Sequence, residues 1–222
     1  MTPPRSDHFN GKTFLHPRAP GGGRLIDVLK WKLTSRAARW PQTIELAAQP
    51  PPPAPRGAEI VATWIGHSTF LLQTRRGNFL TDPVFSARAS PVQWAGPRRA
   101  HEPGVAFETL PHIDAVLLSH DHYDHCDAPS LLRLAVAHEP VFIAPLRHHD
   151  LLSAAGARKI VELDWWEAHA FAPDLTITHT PSQHWSNRFG TPRNHRLWGG
   201  FFSRTRHGTG GEACLVRRRL GL

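Results

Sequence analysis

Cysteine is almost missing from this chain. Its 222 residues hold two, Cys126 and Cys214, too few for a disulfide framework. Lysine is scarce too: only Lys12, Lys30, Lys32 and Lys159 stand among 26 basic residues, so the net charge of +8 rests mainly on arginine. Five arginines fall between Arg204 and Arg219 and the rest are dispersed, with no basic–aromatic register of the kind that tracks a nucleic-acid strand. Nucleic acid is therefore not the expected partner. No run approaches the roughly eighteen apolar residues that a transmembrane helix needs. Met1 to Asn10 lacks the apolar centre of a signal peptide, which leads to an expected cytoplasmic location. No internal repeat is visible.

What remains suits one folded core: 40% hydrophobic and 20% charged residues in a chain of single-domain length. Three segments are expected: an N-terminal part over 1–57, a compact domain over 58–208 and a tail over 209–222. Residues 1–23, rich in proline and glycine, read as an extended arm. Leu25, Ile26, Leu29 and Leu33 have the spacing of an amphipathic helix, expected to pack on its own domain, with a membrane-docking face as the alternative. Gln49 to Pro55 reads as a stiff polyproline linker. Strands are expected at 59–65, 69–73, 78–81, 115–118, 141–144, 159–163, 175–180 and 198–202, with helices after Asp127 and around Leu151. Ser86 to Glu102 reads as an irregular loop that either walls a cleft or packs around Trp94.

The densest chemistry lies at Ser119-His-Asp-His-Tyr-Asp-His-Cys-Asp127, just after the apolar run Ala115–Leu118 and just before a helix start. His120 and His122 are two apart, so in extended backbone they face the same way and can grip one ion. Once the chain turns, Asp124 and His125 can reach a second. Imidazole mixed with carboxylate suits a borderline divalent ion such as zinc. The bland alternative is a solvated loop in a chain of 16 histidines, and the spacing argues against it.

H-x-H-x-D-H after an apolar strand resembles the metallo-β-lactamase superfamily. The longer string Leu110-Pro-His-Ile-Asp-Ala-Val-Leu-Leu-Ser-His-Asp-His-Tyr-Asp-His125 is similar to the branch that contains N-acylphosphatidylethanolamine phospholipase D and its bacterial relatives. Thr63-Trp-Ile-Gly-His-Ser-Thr69, Leu80-Thr-Asp-Pro-Val-Phe85, Glu162-Leu-Asp-Trp-Trp166 and Pro181-Ser-Gln-His-Trp185 match as well. The resemblance implies an α/β (α+β) chain with the αββα sandwich, its second half incomplete here. It implies a zinc-dependent hydrolase of phosphodiesters, acting on a small-molecule or lipid substrate, with peripheral membrane contact as an option. His120, His122 and His184 would hold one ion, and Asp124 and His125 the second, Asp124 being the residue assigned a catalytic role. The residues alone do not choose His184 over His179 or His195; the Ser-Gln-His-Trp match does. Asp82 and His67 are candidates to support the metal ligands from outside: Asp82 is either an orienter of a metal-bound histidine or a turn cap before Pro83, and His67 either lines the cleft beside the ligands or is a satisfied structural histidine. Ser119, Ser182 and Cys126 are expected to be structural, and Trp165 and Trp166 to be core or rim. A superfamily nuclease and a non-catalytic metal-binding remnant are the competing readings.

The family pattern next requires Phe-Ala-Gly-Asp-Thr/Ser-Gly, whose aspartate bridges the ions, and a later histidine. Neither is present after Gly208. Val216 to Leu222 can be encoded as GTT CGC CGG CGA CTC GGG CTT, and the same bases read one position later give Phe-Ala-Gly-Asp-Ser-Gly. A slip of frame between about Gly208 and Val216 is the expectation, compatible with that codon choice and not proven by it. Two zinc ions belong to the complete family site, one or none to this chain. With Asp124 and His125 as the only donors of the second ion and the final strands missing, an impaired, marginally stable hydrolase is expected.

Overall fold

The computed structural model describes residues 6–17, 25–36, 41–57, 60–207 and 210–216. The glycine run Gly21–Gly23, the expected domain start at Ala58 and the last residues, 217–222, lie outside these.

Two sheets lie at the centre. Strands β1 (Val61–Gly66), β2 (Thr69–Thr74) and β3 (Gly77–Thr81) form an antiparallel meander. From β3 onward the pairing is parallel, through β4 (Ala115–Leu117), β5 (Val141–Pro145) and β6 (Lys159–Leu163), so six strands run in chain order across one sheet. Parallel neighbours need crossovers. Helix α2 (Ala128–His138) supplies the one between β4 and β5, and α3 (His149–Ala154) the one between β5 and β6. The second sheet is antiparallel: β7 (Ala168–Ala172), β8 (Leu175–Thr180), β9 (Gly200–His207) and β10 (Gly210–Val216).

Side-chain alternation builds two cores from the same strands. Val116, Leu118, Phe142 and Ala144 face α2 and α3, where Leu131, Leu134 and Leu152 cover them. Ala115, Leu117 and Ile143 face the other way and meet Leu175, Ile177 and Phe201 of the second sheet. The layers are helix, sheet, sheet. Helix α2 starts after Asp127 with a proline in its first turn, where the missing N–H is no loss.

Three expectations change. Residues 6–17 are not an extended arm: Phe9 and Phe14 form an antiparallel bridge, and Phe14 is buried with Leu197 and Trp198. His8 stacks on Trp165 with ring centroids 3.9 Å apart. Aromatic area outweighs the segment's polar composition. Helix α1 (Leu25–Thr34) forms, but Ile26, Leu29, Trp31 and Leu33 are exposed, not packed on the domain. Spacing makes an apolar face; it does not supply the surface that would cover it. Segment 210–216, set apart as tail, pairs with β9 from Gly210↔His207 to Val216↔Phe201. The β9 edge offers backbone partners whatever side chains arrive. Strand β7 has no counterpart in the sequence reading.

Candidate metal centre

The carboxyl ends of β1, β3 and β4 lie at the same edge of the first sheet, where open α/β sheets place ligands. At the end of β4 the chain turns tightly: the N–H groups of His125 and Cys126 both donate to the His122 carbonyl. That turn aims His120 and His122 at one point, with Nε2 of His120 2.9 Å from Nδ1 of His122. His184 arrives from the loop after β8, its Nε2 3.0 Å from that of His120. His179 does not join them; it is buried on β8 beside Phe201. His195 also lies outside both donor clusters that the described residues form.

Asp121, fully buried, explains why the His184 loop lands there. Its carboxylate accepts the Asn187 N–H at 2.8 Å and pairs with Arg196 at 3.2 Å. Arg188 donates to the carbonyls of Asp121 (2.8 Å) and Cys126 (2.9 Å) and lies over the Tyr123 ring. The loop is thus stitched to the very turn that carries His120 and His122.

A second group contains His67, Asp124 and His125. Nε2 of His67 lies 3.0 Å from Oδ2 of Asp124 and 3.3 Å from Nε2 of His125, and those two are 3.5 Å apart. His67, expected beside the ligands, thus stands within a donor cluster itself.

Asp82 links the two groups. Its Oδ2 accepts from Nδ1 of His125 at 2.7 Å and from the Ser119 hydroxyl at 2.7 Å. Having donated its proton there, the Ser119 oxygen accepts from Nδ1 of His120 at 2.8 Å. One carboxylate therefore places the proton of both imidazoles on Nδ1, directly for His125 and through Ser119 for His120. Both Nε2 lone pairs are left facing the clusters. Such outer partners raise ligand basicity and fix ring orientation. Oδ1 of Asp82 takes the Ser119 N–H at 2.7 Å. Asp82 does not cap the turn with its own side chain; it reaches across to the turn that follows β4.

Burial opposes charge on both Asp124 and His125, yet the neighbouring imidazoles of His125 and His67 hold Asp124 well below the usual carboxylate range. The carboxylates of Asp82 and Asp124 raise His125 in turn. The Cys126 thiol is buried and pushed up to about 12, which leaves it inert. A tetrahedral ion with bonds of about 2.0–2.1 Å sets its ligand atoms about 3.3 Å apart. The 2.9 and 3.0 Å separations of the three-histidine group come within a few tenths of an ångström of that. Three lone-pair donors at this spacing fit a divalent ion.

A cleft of about 800 Å3 opens over the site, lined by His67, His122, Tyr123, Asp124 and Trp64, and by loop residues from Ser86 to His101 that include Arg98 and Arg99. The irregular loop walls this cleft; Trp94 is 83% exposed and organises no packing. Arg99 holds the loop in shape by donating to the carbonyls of Val84 and Ser86.

A two-sheet fold with histidine clusters at one sheet edge defines the class. Residues 77–211, more than half of the chain, match the model of the β-lactamase superfamily domain, and the chain belongs to that family. Among curated proteins, it is 39% identical over 179 residues to an uncharacterized protein of Mycobacterium tuberculosis, covering 78% of this chain and 47% of the relative. It is 36% identical over 151 residues to the N-acyl-phosphatidylethanolamine-hydrolyzing phospholipase D 1 of Caenorhabditis elegans, covering 64% of this chain and 42% of that one. The chain thus spans less than half the length of these relatives. Two solved structures carry the same fold. The diiron β-hydroxylase CmlA of Streptomyces venezuelae has a TM-score of 0.51 at 22% identity, over 73% of this chain and 30% of its own. A possible metal-dependent hydrolase of Veillonella parvula has 0.52 at 15%, over 70% and 61%.

Sequence reasoning missed Asp121, Arg188 and Arg196. Asp121 sits inside the histidine motif, where alternation points it away from His120 and His122, and that was the available signal.

Proposed function

We propose that this chain is a metal-dependent hydrolase that cleaves a phosphodiester bearing an apolar group. The observation that carries it is the pair of adjacent donor clusters opening on one large cleft. His120, His122 and His184 would hold one ion, and Asp124 and His125 belong to the second; imidazole with carboxylate suits zinc and also iron. Such an ion supplies Lewis acidity toward phosphoryl oxygens and an activated water at neutral pH. The chain's own residues do the rest. Asp82 keeps the imidazole lone pairs turned inward, Asp121 and Arg188 hold the His184 loop, and Arg98 offers positive charge to an anionic substrate at the cleft wall. Trp64 and Val84 give that wall apolar area. The exposed apolar residues of α1, with Lys30 beside them, would meet a lipid interface. The names of the nematode and yeast relatives, N-acyl-phosphatidylethanolamine-hydrolyzing phospholipases D, support this substrate class.

The test is hydrolysis by the metal-loaded chain of N-acylphosphatidylethanolamine in vesicles, of bis-p-nitrophenyl phosphate and of a DNA oligonucleotide. Release of N-acylethanolamine and phosphatidic acid, lost in His120→Ala, is expected. Cleavage of the oligonucleotide alone would make this a nuclease. Metal bound without turnover of any substrate would refute the hydrolase reading.

A further inference from the structure

We propose that His67 is a direct ligand of the second metal ion, completing with Asp124 and His125 a three-donor site; this rests on the metal-centre reading above. The separations 3.0, 3.3 and 3.5 Å bracket the spacing of about 3.3 Å that a tetrahedral ion imposes on its ligand atoms. Nε2 of His67 lies within 3.3 Å of both the Asp124 carboxylate and Nε2 of His125, so one cation could be shared by all three atoms.

The backbone supports this placement. His67 and Asp82 both have positive φ, +46° and +38°, in a region that non-glycine residues rarely adopt. Both follow strand ends, and both side chains contact His125. Strained backbone held by its surroundings clusters where side chains must be aimed. Here the Trp64 indole N–H clamps the His67 carbonyl at 3.1 Å. The His67 side chain is 51% exposed toward the cleft, which leaves the ion's fourth position to solvent or substrate. The resemblance assigns that second ion a bridging aspartate and a distant histidine; the structure assigns a donor from the β1–β2 turn.

The rival role is a hydrogen-bond partner that merely orients Asp124, and His67→Asn separates the two. Asparagine tolerates positive φ and keeps an N–H for Asp124, but it is a poor zinc ligand. The experiment is calorimetric titration of the metal-stripped full chain with Zn2+, with bound zinc counted after dialysis. The expected result is two ions in the wild type and loss of one in His67→Asn. The second affinity should fall more than 100-fold, with thermal unfolding of the metal-free chain unchanged, while His120→Ala loses the other ion. Loss of an orienting partner costs about 10–100-fold. Two ions retained with any smaller fall would overturn the proposal, as would a wild type that binds one ion which His67→Asn keeps. A wild type that binds none would remove the metal-centre reading itself, so the two failures are distinguishable.

Discussion

His179 sits wholly buried on β8, and among the described residues neither ring nitrogen has a hydrogen-bond partner. Burial pushes its pKa down to about 3. In the unfolded chain a histidine titrates near about 6.5. Below that pH the unfolded state takes a proton that the folded state refuses, so stability is full above it and falls as the pH drops toward 3. At about pH 5 one such group has cost about 2 kcal/mol. His148, also buried and held at about 4, acts in the same direction. His125 is raised and acts in the opposite direction, so the raw pH profile mixes signs. His179→Leu isolates one group, exchanging an unpartnered imidazole for an apolar side chain. Urea unfolding at about pH 7.5 and about pH 5 should show the wild type losing about 2 kcal/mol more than the variant between them, or about 4–8 °C in Tm for a chain of this size. Parallel losses in the two proteins would refute the reasoning.

Gly199→Ala would place its new methyl carbon 2.2 Å from Nε2 of His179 and 2.3 Å from the Thr180 carbonyl oxygen. One contact is with backbone, which cannot swing away, so a loss above about 3 kcal/mol is expected by chemical denaturation. Asp82→Asn removes the acceptor that sets both imidazole tautomers, and metal affinity measured against a competing chelator should fall about 10–100-fold. Arg188→Met keeps apolar contact with Tyr123 but releases the carbonyls of Asp121 and Cys126. That change should weaken the three-histidine site about tenfold and leave the His67 cluster unaffected, as read by stoichiometric zinc titration.

The sheets were legible where local pattern decides. The fully buried β4 and the alternating β8 read directly, as did the β2–β3 hairpin across Arg75-Arg76. Strand β7, Ala-His-Ala-Phe-Ala, escaped because alanine is a weak strand former and pairing with β8 makes the strand. The H-x-H-x-D-H spacing placed His120, His122, Asp124 and His125 in advance because it is short and local. His184 needed the resemblance as well, since nothing within 179–195 reveals which histidine the Asp121–Arg188 contacts will fix in place. His67 was legible as a candidate to line the cleft, which it does; its meeting with Asp124 was not, because that depends on 57 residues of chain folding back so that two strand ends meet.

The most direct test of the metal centre is anomalous diffraction at the zinc edge from crystals of the full chain grown with Zn2+. A peak is expected about 2.0–2.1 Å from Nε2 of His120, Nδ1 of His122 and Nε2 of His184 together. Zinc bound only elsewhere, with these three nitrogens hydrogen-bonded to one another, would contradict it.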